Sequence, residues 1–211
     1  MAPRLRSRSY RPISSTRKES VFVPDQALTP APPLAGHDRS FGGIRVAAPD
    51  NLAIVSLALP LGEEDTAERA IETGFGVDLP GIGKSLTCEA GRTRLLRLGI
   101  DSAFVLFEHP APDALAVVAA KLGDAAYLTD QTDVWCGLGV SGPDCRAALE
   151  RICPVDLHDD AFAVGDAART VMEHLGVIVI RTGKDAFLLL SSSSSARSFL
   201  HAVETSAANV T

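Results

Sequence analysis

The residues best suited to chemistry are PGIGKS (80–85), whose glycines and lysine are the types that cradle phosphate. A phosphate loop needs a further glycine five residues before Gly83, and Asp78 stands there instead. The stretch also follows a helical pattern and a Val77, Asp78, Leu79 exit where a strand is required, so it reads as a connector. GFG at 74–76 likewise reads as a helix stop. His37, His109, His158, His174 and His201 are scattered, with no spaced Cys, Asp or Glu that would make a metal site or a nucleophile relay. Cys88, Cys136, Cys145 and Cys153 show no CxxC pairing and read as buried thiols. No GxSxG elbow occurs. The acids Glu63, Glu64, Asp65, Asp159 and Asp160 fall at helix starts or loops, where the helix dipole and solvent account for them. The serine run 191–195 offers N-caps to a last helix. Trp135, the sole tryptophan, suits either a core or an interface anchor. No position is therefore assigned a catalytic, cofactor-binding or metal-binding role.

The elements that would carry these residues repeat. LAIVSLAL (52–59) reads as a buried strand and EEDTAERAIETG (63–74) as a helix with acids in its first turn. RTRLLRL (92–98) and AFVLFE (103–108) make a hairpin, and PDALAVVAAKLG (112–123) a helix with Pro at entry and Gly at exit. The second half follows with a strand at 134–140, a helix at 142–153, a hairpin of 176–182 with 186–191, and a helix at 195–207. AIETGFGVDL (70–79) lies over ALERICPVDL (148–157) without a gap. The expectation is an α+β fold of duplicated β-α-β-β-α, ferredoxin-like units, with pseudo-repeats at about 52–124 and 133–207 in one domain over 39–211.

Residues 1–38 combine Arg, Ser and Pro with few large apolar groups, and read as a flexible tail. Arg4, Arg6, Arg8, Arg11, Arg17 and Lys18 supply six of the 20 basic residues; without them 14 bases face 26 acids, a net of −12. Such a body offers no basic face for nucleic acid. An organelle transit peptide would also be rich in Arg and Ser, but no apolar face repeats here with helical period. No apolar run approaches the roughly 18 to 20 residues of a membrane-spanning helix. The chain reads as cytoplasmic, with neither membrane nor nucleic acid as a partner.

DQTDVWCGLGVSGPDCRAALERICPVDLH (130–158) and ARTVMEHLGVIVIRTGKDAFLLLSSSSSARSFLHAV (168–203) carry a strand ending in Ser-Gly-Pro, Ala-Leu-Glu on a helix, Cys-Pro-x-Asp-Leu, and Arg-x-Gly-x-Asp-x-Phe in a hairpin. In these the chain resembles the gamma subunit of heterotetrameric sarcosine oxidase; the first half matches in outline, keeping Asp101 of its hairpin. The resemblance implies a fold like the folate-binding domain of the glycine-cleavage aminomethyltransferase. It also implies a structural subunit of a complex that oxidatively demethylates sarcosine to glycine with tetrahydrofolate and oxygen. The alpha, beta and delta subunits would be its partners and would hold FAD, FMN, NAD, tetrahydrofolate and zinc, leaving none to this chain. A stand-alone folate-binding, aminomethyltransferase-like protein, or a subunit of a related N-methyl amino acid oxidase or dehydrogenase, are the alternatives.

Overall fold

The computed structural model describes residues 31–210. Most of the expected tail, 1–30, lies outside the described residues, but Leu34 is buried in a core and the first strand begins at Asp38.

Strands β1 (Asp38–Phe41) and β2 (Ile44–Ala47) form a hairpin ahead of the first expected element. Then come β3 (Leu52–Ala58), α1 (Glu64–Phe75), β4 (Lys84–Cys88), β5 (Thr93–Arg97), β6 (Ser102–Glu108), α2 (Ala114–Leu122) and β7 (Tyr127–Asp130). The second half runs β8 (Trp135–Ser141), α3 (Cys145–Glu150), β9 (Ala167–Met172), β10 (Leu175–Gly183), β11 (Ala186–Ser192) and α4 (Ala196–Ala208). All pairings are antiparallel, in a five-stranded sheet ordered β4-β5-β6-β3-β7 and a six-stranded sheet ordered β1-β2-β8-β11-β10-β9.

The long apolar runs are explained by burial on both strand faces. Alternate residues point to opposite sides of a strand, so in β6 Ala103, Val105 and Phe107 pack under α1 and α2, while Phe104 and Leu106 face the other sheet. In β10, Val177 and Val179 join α3 and α4, while Ile178 and Ile180 meet Ile54, Leu96, Phe104 and Leu106. The result is a four-layer sandwich, with helices outside and the two sheets face to face. No helix among the described residues is long and apolar enough to cross a membrane.

Each half has the order β-α-β-β-β-α, and β4-β5-β6-β3 corresponds in sheet position to β9-β10-β11-β8. The order β5-β6-β3-β7 is the ferredoxin-like arrangement. In the second unit the place of β7 is taken by β2, from the far end of the chain. The additional strands β4 and β9 are sheet edges, with one partner strand each and mixed burial, so they lack the apolar run that marks the inner strands. PGIGKS thus ends in a strand, and Lys84 is paired with Asp166 at 2.5 Å. Backbone bonds from Ser85 N to Gly165 O (2.6 Å) and Ala167 N to Gly83 O (2.8 Å) tie the two edges together.

Helix α3 is shorter than the 142–153 expected. Gly142–Asp144 is spent on a turn closed by Cys145 N to Gly142 O (3.0 Å), and the chain leaves the helix ahead of Pro154. At α4, Ser195 makes no side-chain capping bond. Its neighbours are used elsewhere, with Ser191 Oγ donating to Gly176 O (3.0 Å) and Ser193 Oγ to Asp133 O (2.7 Å).

Candidate functional site

Where β3 and β8 begin and β6 ends, a cavity of about 170 Å³ opens between the two halves. Its walls are mainly apolar, and Pro33, Pro49, Pro110 and Pro112 stiffen the loops around it. Trp135 forms one wall, half-buried, its ring edge-to-face with Phe104 at 5.8 Å. Its Nε1 is buried with no acceptor among the described residues. Gly137 lets this wall close up, since a Cβ there would lie 2.9 Å from Leu52 Cδ2 and 3.0 Å from Pro49 Cγ.

Several polar groups of the cavity wall are hydrogen-bonded, in part to residues behind the wall such as Asp113 and Ile54. His109 Nε2 and Asp113 Oδ1 are 2.5 Å apart, and that hydrogen bond holds the Asp113 carboxyl below the usual carboxylate range. His109 N donates to Asn51 O (2.8 Å). Asp130 Oδ1 accepts from Thr132 N (2.9 Å), and Thr132 Oγ1 accepts from Ile54 N (3.1 Å), so these side chains shape the β7–β8 loop. Sites that enclose cofactors or drug-sized ligands occupy about 300–1,000 Å³. This cavity is smaller.

The other predicted positions are not brought together. His37 lies 3.5 Å from Glu204, His158 lies 3.4 Å from Asp160, and His201 sits beside Arg151 in a shallow groove along α4. The four thiols are free and buried, and desolvation raises each one, Cys145 to about 11. Among the described residues no three His, Cys, Asp or Glu gather closely enough to hold a metal ion. At the start of α1, hydrogen bonds from the backbone at Gly62 and Glu64 lower the Glu64 carboxyl.

Asp159 departs from expectation. It is more than a solvated loop acid, because Arg181 Nη2 donates to its Oδ1 at 2.6 Å and holds its pKa low. Arg181 is only 3% exposed, and its guanidinium also donates to Phe162 O (2.6 Å), Lys184 O (2.7 Å) and Gly183 O (3.3 Å). Arg97 makes the same pattern in the first half, with Nε to Gly99 O (3.2 Å) and Nη2 to Ile100 O (2.5 Å). The Arg-x-Gly-x-Asp spacing at 97–101 and 181–185 was the available signal that both hairpins are pinned by an arginine. The partner carboxylate, 22 positions away in sequence, carried none.

No protein-family model matches the chain. The chain is 30% identical over 121 residues to the sarcosine oxidase subunit gamma of Arthrobacter sp., covering 57% of this chain and 60% of that protein. To the subunit of the same name from Corynebacterium sp. (strain U-96) it is 28% identical over 137 residues, covering 64% and 66%. The matches thus span about 60–66% of the length of these curated relatives. In fold it matches a chain of the heterotetrameric sarcosine oxidase of Corynebacterium sp. U-96 with a TM-score of 0.72 at 22% identity, over 86% of this chain and 96% of that one. It also matches the glycine cleavage system aminomethyltransferase T of Bartonella henselae with a TM-score of 0.56 at 16% identity, over 75% of this chain and 44% of that one. The chain is therefore similar in sequence to sarcosine oxidase gamma subunits, and similar in fold to a chain of the heterotetrameric enzyme.

Proposed function

We propose that this chain is the gamma subunit of a cytoplasmic, heterotetrameric sarcosine oxidase, with an assembly role rather than a catalytic one. The observation that carries the reading is the joint sequence and fold similarity: 28–30% identity to subunits named gamma, and a fold covering 96% of a chain of the heterotetrameric enzyme. The side-chain chemistry supports it. The four thiols are buried and desolvation raises each of them, as for thiols that serve the core. In this reading FAD, FMN, NAD and tetrahydrofolate are held by alpha, beta and delta partner subunits, and the complex oxidises sarcosine to glycine in one-carbon metabolism.

The test is to express the neighbouring subunit genes with and without this one and to measure flavin content and sarcosine-dependent peroxide. Assembly and flavin content should fall when the chain is omitted; a complex that is unchanged without it would sink the reading. Micromolar binding of tetrahydrofolate to the isolated chain, read by calorimetry, would favour a stand-alone folate-binding protein instead.

A further inference from the structure

The end of the sandwich opposite the cavity presents a cluster of apolar side chains for which the fold has no use. Leu61 (97% exposed), Ile100 (77%) and Tyr127 (71%) are the three most exposed large apolar residues among those described. They come from three separate connections that converge on the end of β3. Ala58 pairs with Ser102 of β6 on one side and with Tyr127 of β7 on the other, and Leu59 N donates to Asp101 O (2.8 Å). Ile82, 56% exposed, continues the row, because Gly83 N donates to Arg97 O (2.8 Å) and Arg97 carries the Ile100 turn.

Local structure does not call for apolar residues here. Leu61 is the second residue of a turn closed by Glu63 N to Pro60 O (3.1 Å), in which Gly62 supplies the positive φ of +82°. Any polar residue would serve at position 61. Single exposed apolar residues are normal on a protein surface, whereas a cluster marks an interaction site. The Ile100 turn is also held in place. Arg97 binds the carbonyls of Gly99 and Ile100 and reaches Glu68 Oε1 at 3.4 Å, so little freedom remains to be lost on docking.

We infer that this tip is where a partner subunit docks, presenting an apolar pocket bordered by Lys or Arg; the inference rests on the gamma-subunit reading above. The partner's chemistry follows from the exposed acids around the tip, Glu63, Asp65, Asp101 and Asp124. A two-fold contact between copies of this chain would bring those acids against each other, which disfavours self-association and favours a basic rim on a different protein.

The full-length tagged chain is co-expressed with the neighbouring alpha, beta and delta subunits, and recovered partner is measured for wild type, for L61E/I100E and for V171E. Val171 is a control, 53% exposed on the β9 edge, away from the tip. Thermal midpoints of the purified chains establish that all three fold alike. L61E/I100E should recover about 10-fold less partner or worse, with V171E equal to wild type. Wild-type recovery by L61E/I100E, or an equal loss in V171E, overturns the inference while leaving the gamma-subunit reading intact. A wild-type chain that recovers none of the three subunits overturns both. An isolated chain that is a dimer and becomes monomeric in L61E/I100E makes a second copy the occupant. A monomer whose 61 and 100 loops lose hydrogen-exchange protection when residues 1–30 are deleted makes the chain's own N-terminal segment the occupant. Either of these last two results overturns the inference.

Discussion

Arg181 concentrates more of the second unit's order than any other polar side chain described. Its fork joins β10, the Lys184 turn and the 159–162 loop, and its guanidinium lies 5.6 Å from the Phe187 ring centroid. Removing it leaves the Phe162 carbonyl short of a donor in a buried setting, which costs about 1–3 kcal/mol, and frees the partly buried bond to the Lys184 carbonyl at smaller cost. Arg181→Ala should therefore destabilise the chain by roughly 2–5 kcal/mol in urea unfolding. Arg181→Lys should recover only part of this, because an ammonium cannot reproduce the fork. Arg97→Ala, at a more exposed position, should cost less. An Arg181→Ala midpoint equal to that of wild type would contradict the assignment. The recurrence of Arg-x-Gly-x-Asp was legible in the sequence, but the depth of burial that gives Arg181 its weight was not.

Among elements, the β8–α3 junction is the tightest. Gly142 has φ +114°, and a Cβ there would lie 2.1 Å from Gly43 O on the β1–β2 turn. Gly142→Ala combines backbone strain with a clash against main chain that cannot rotate away. It should lower stability by about 2–5 kcal/mol, and hydrogen exchange should show the β1–β2 hairpin opening first. If exchange instead remains uniform, the hairpin is not held by this contact. Ser-Gly-Pro could be seen in the sequence as a strand exit. That its glycine seats a hairpin whose Gly43 lies 99 positions upstream could not, because β1 and β2 are short and half-exposed, with too few apolar residues to announce themselves. Edge strands β4 and β9 escaped for the same reason, whereas the largely buried strands β3, β6, β10 and β11, and β8 with one face buried and the other half-buried, were all read within a residue or two of their observed limits.

At the level of the whole molecule, two sets of titrating groups bracket the range in which the sandwich should be most stable. Arg181 lowers Asp159, Lys121 and then Thr93 lower Glu89, and Arg45 lowers Asp38. Carboxyls depressed in the folded state contribute stability that is present above their unfolded value of about 4 and is lost as pH falls through the folded values. The buried thiols act in the opposite sense, since a raised folded pKa leaves stability intact below the unfolded value of about 8.5 and removes it as pH rises beyond. The urea midpoint should thus be level between about pH 5 and 8, and fall below about pH 4 and above about pH 9. A midpoint that keeps rising toward pH 3 would show that these carboxylates are not stabilised by their partners.

Apolar periodicity and turn residues determined the inner strands, the four helices and the recurrence of one unit, because burying both faces of a strand requires a run of apolar residues that composition cannot hide. Tertiary structure alone decided which strands close the sheets, since edge pairing is a matter of backbone hydrogen bonds that almost any side chain permits. It alone decided that Asp159 meets Arg181, and that Leu61, Ile100 and Tyr127 gather at one tip, because contacts between residues distant along the chain follow from how the layers stack.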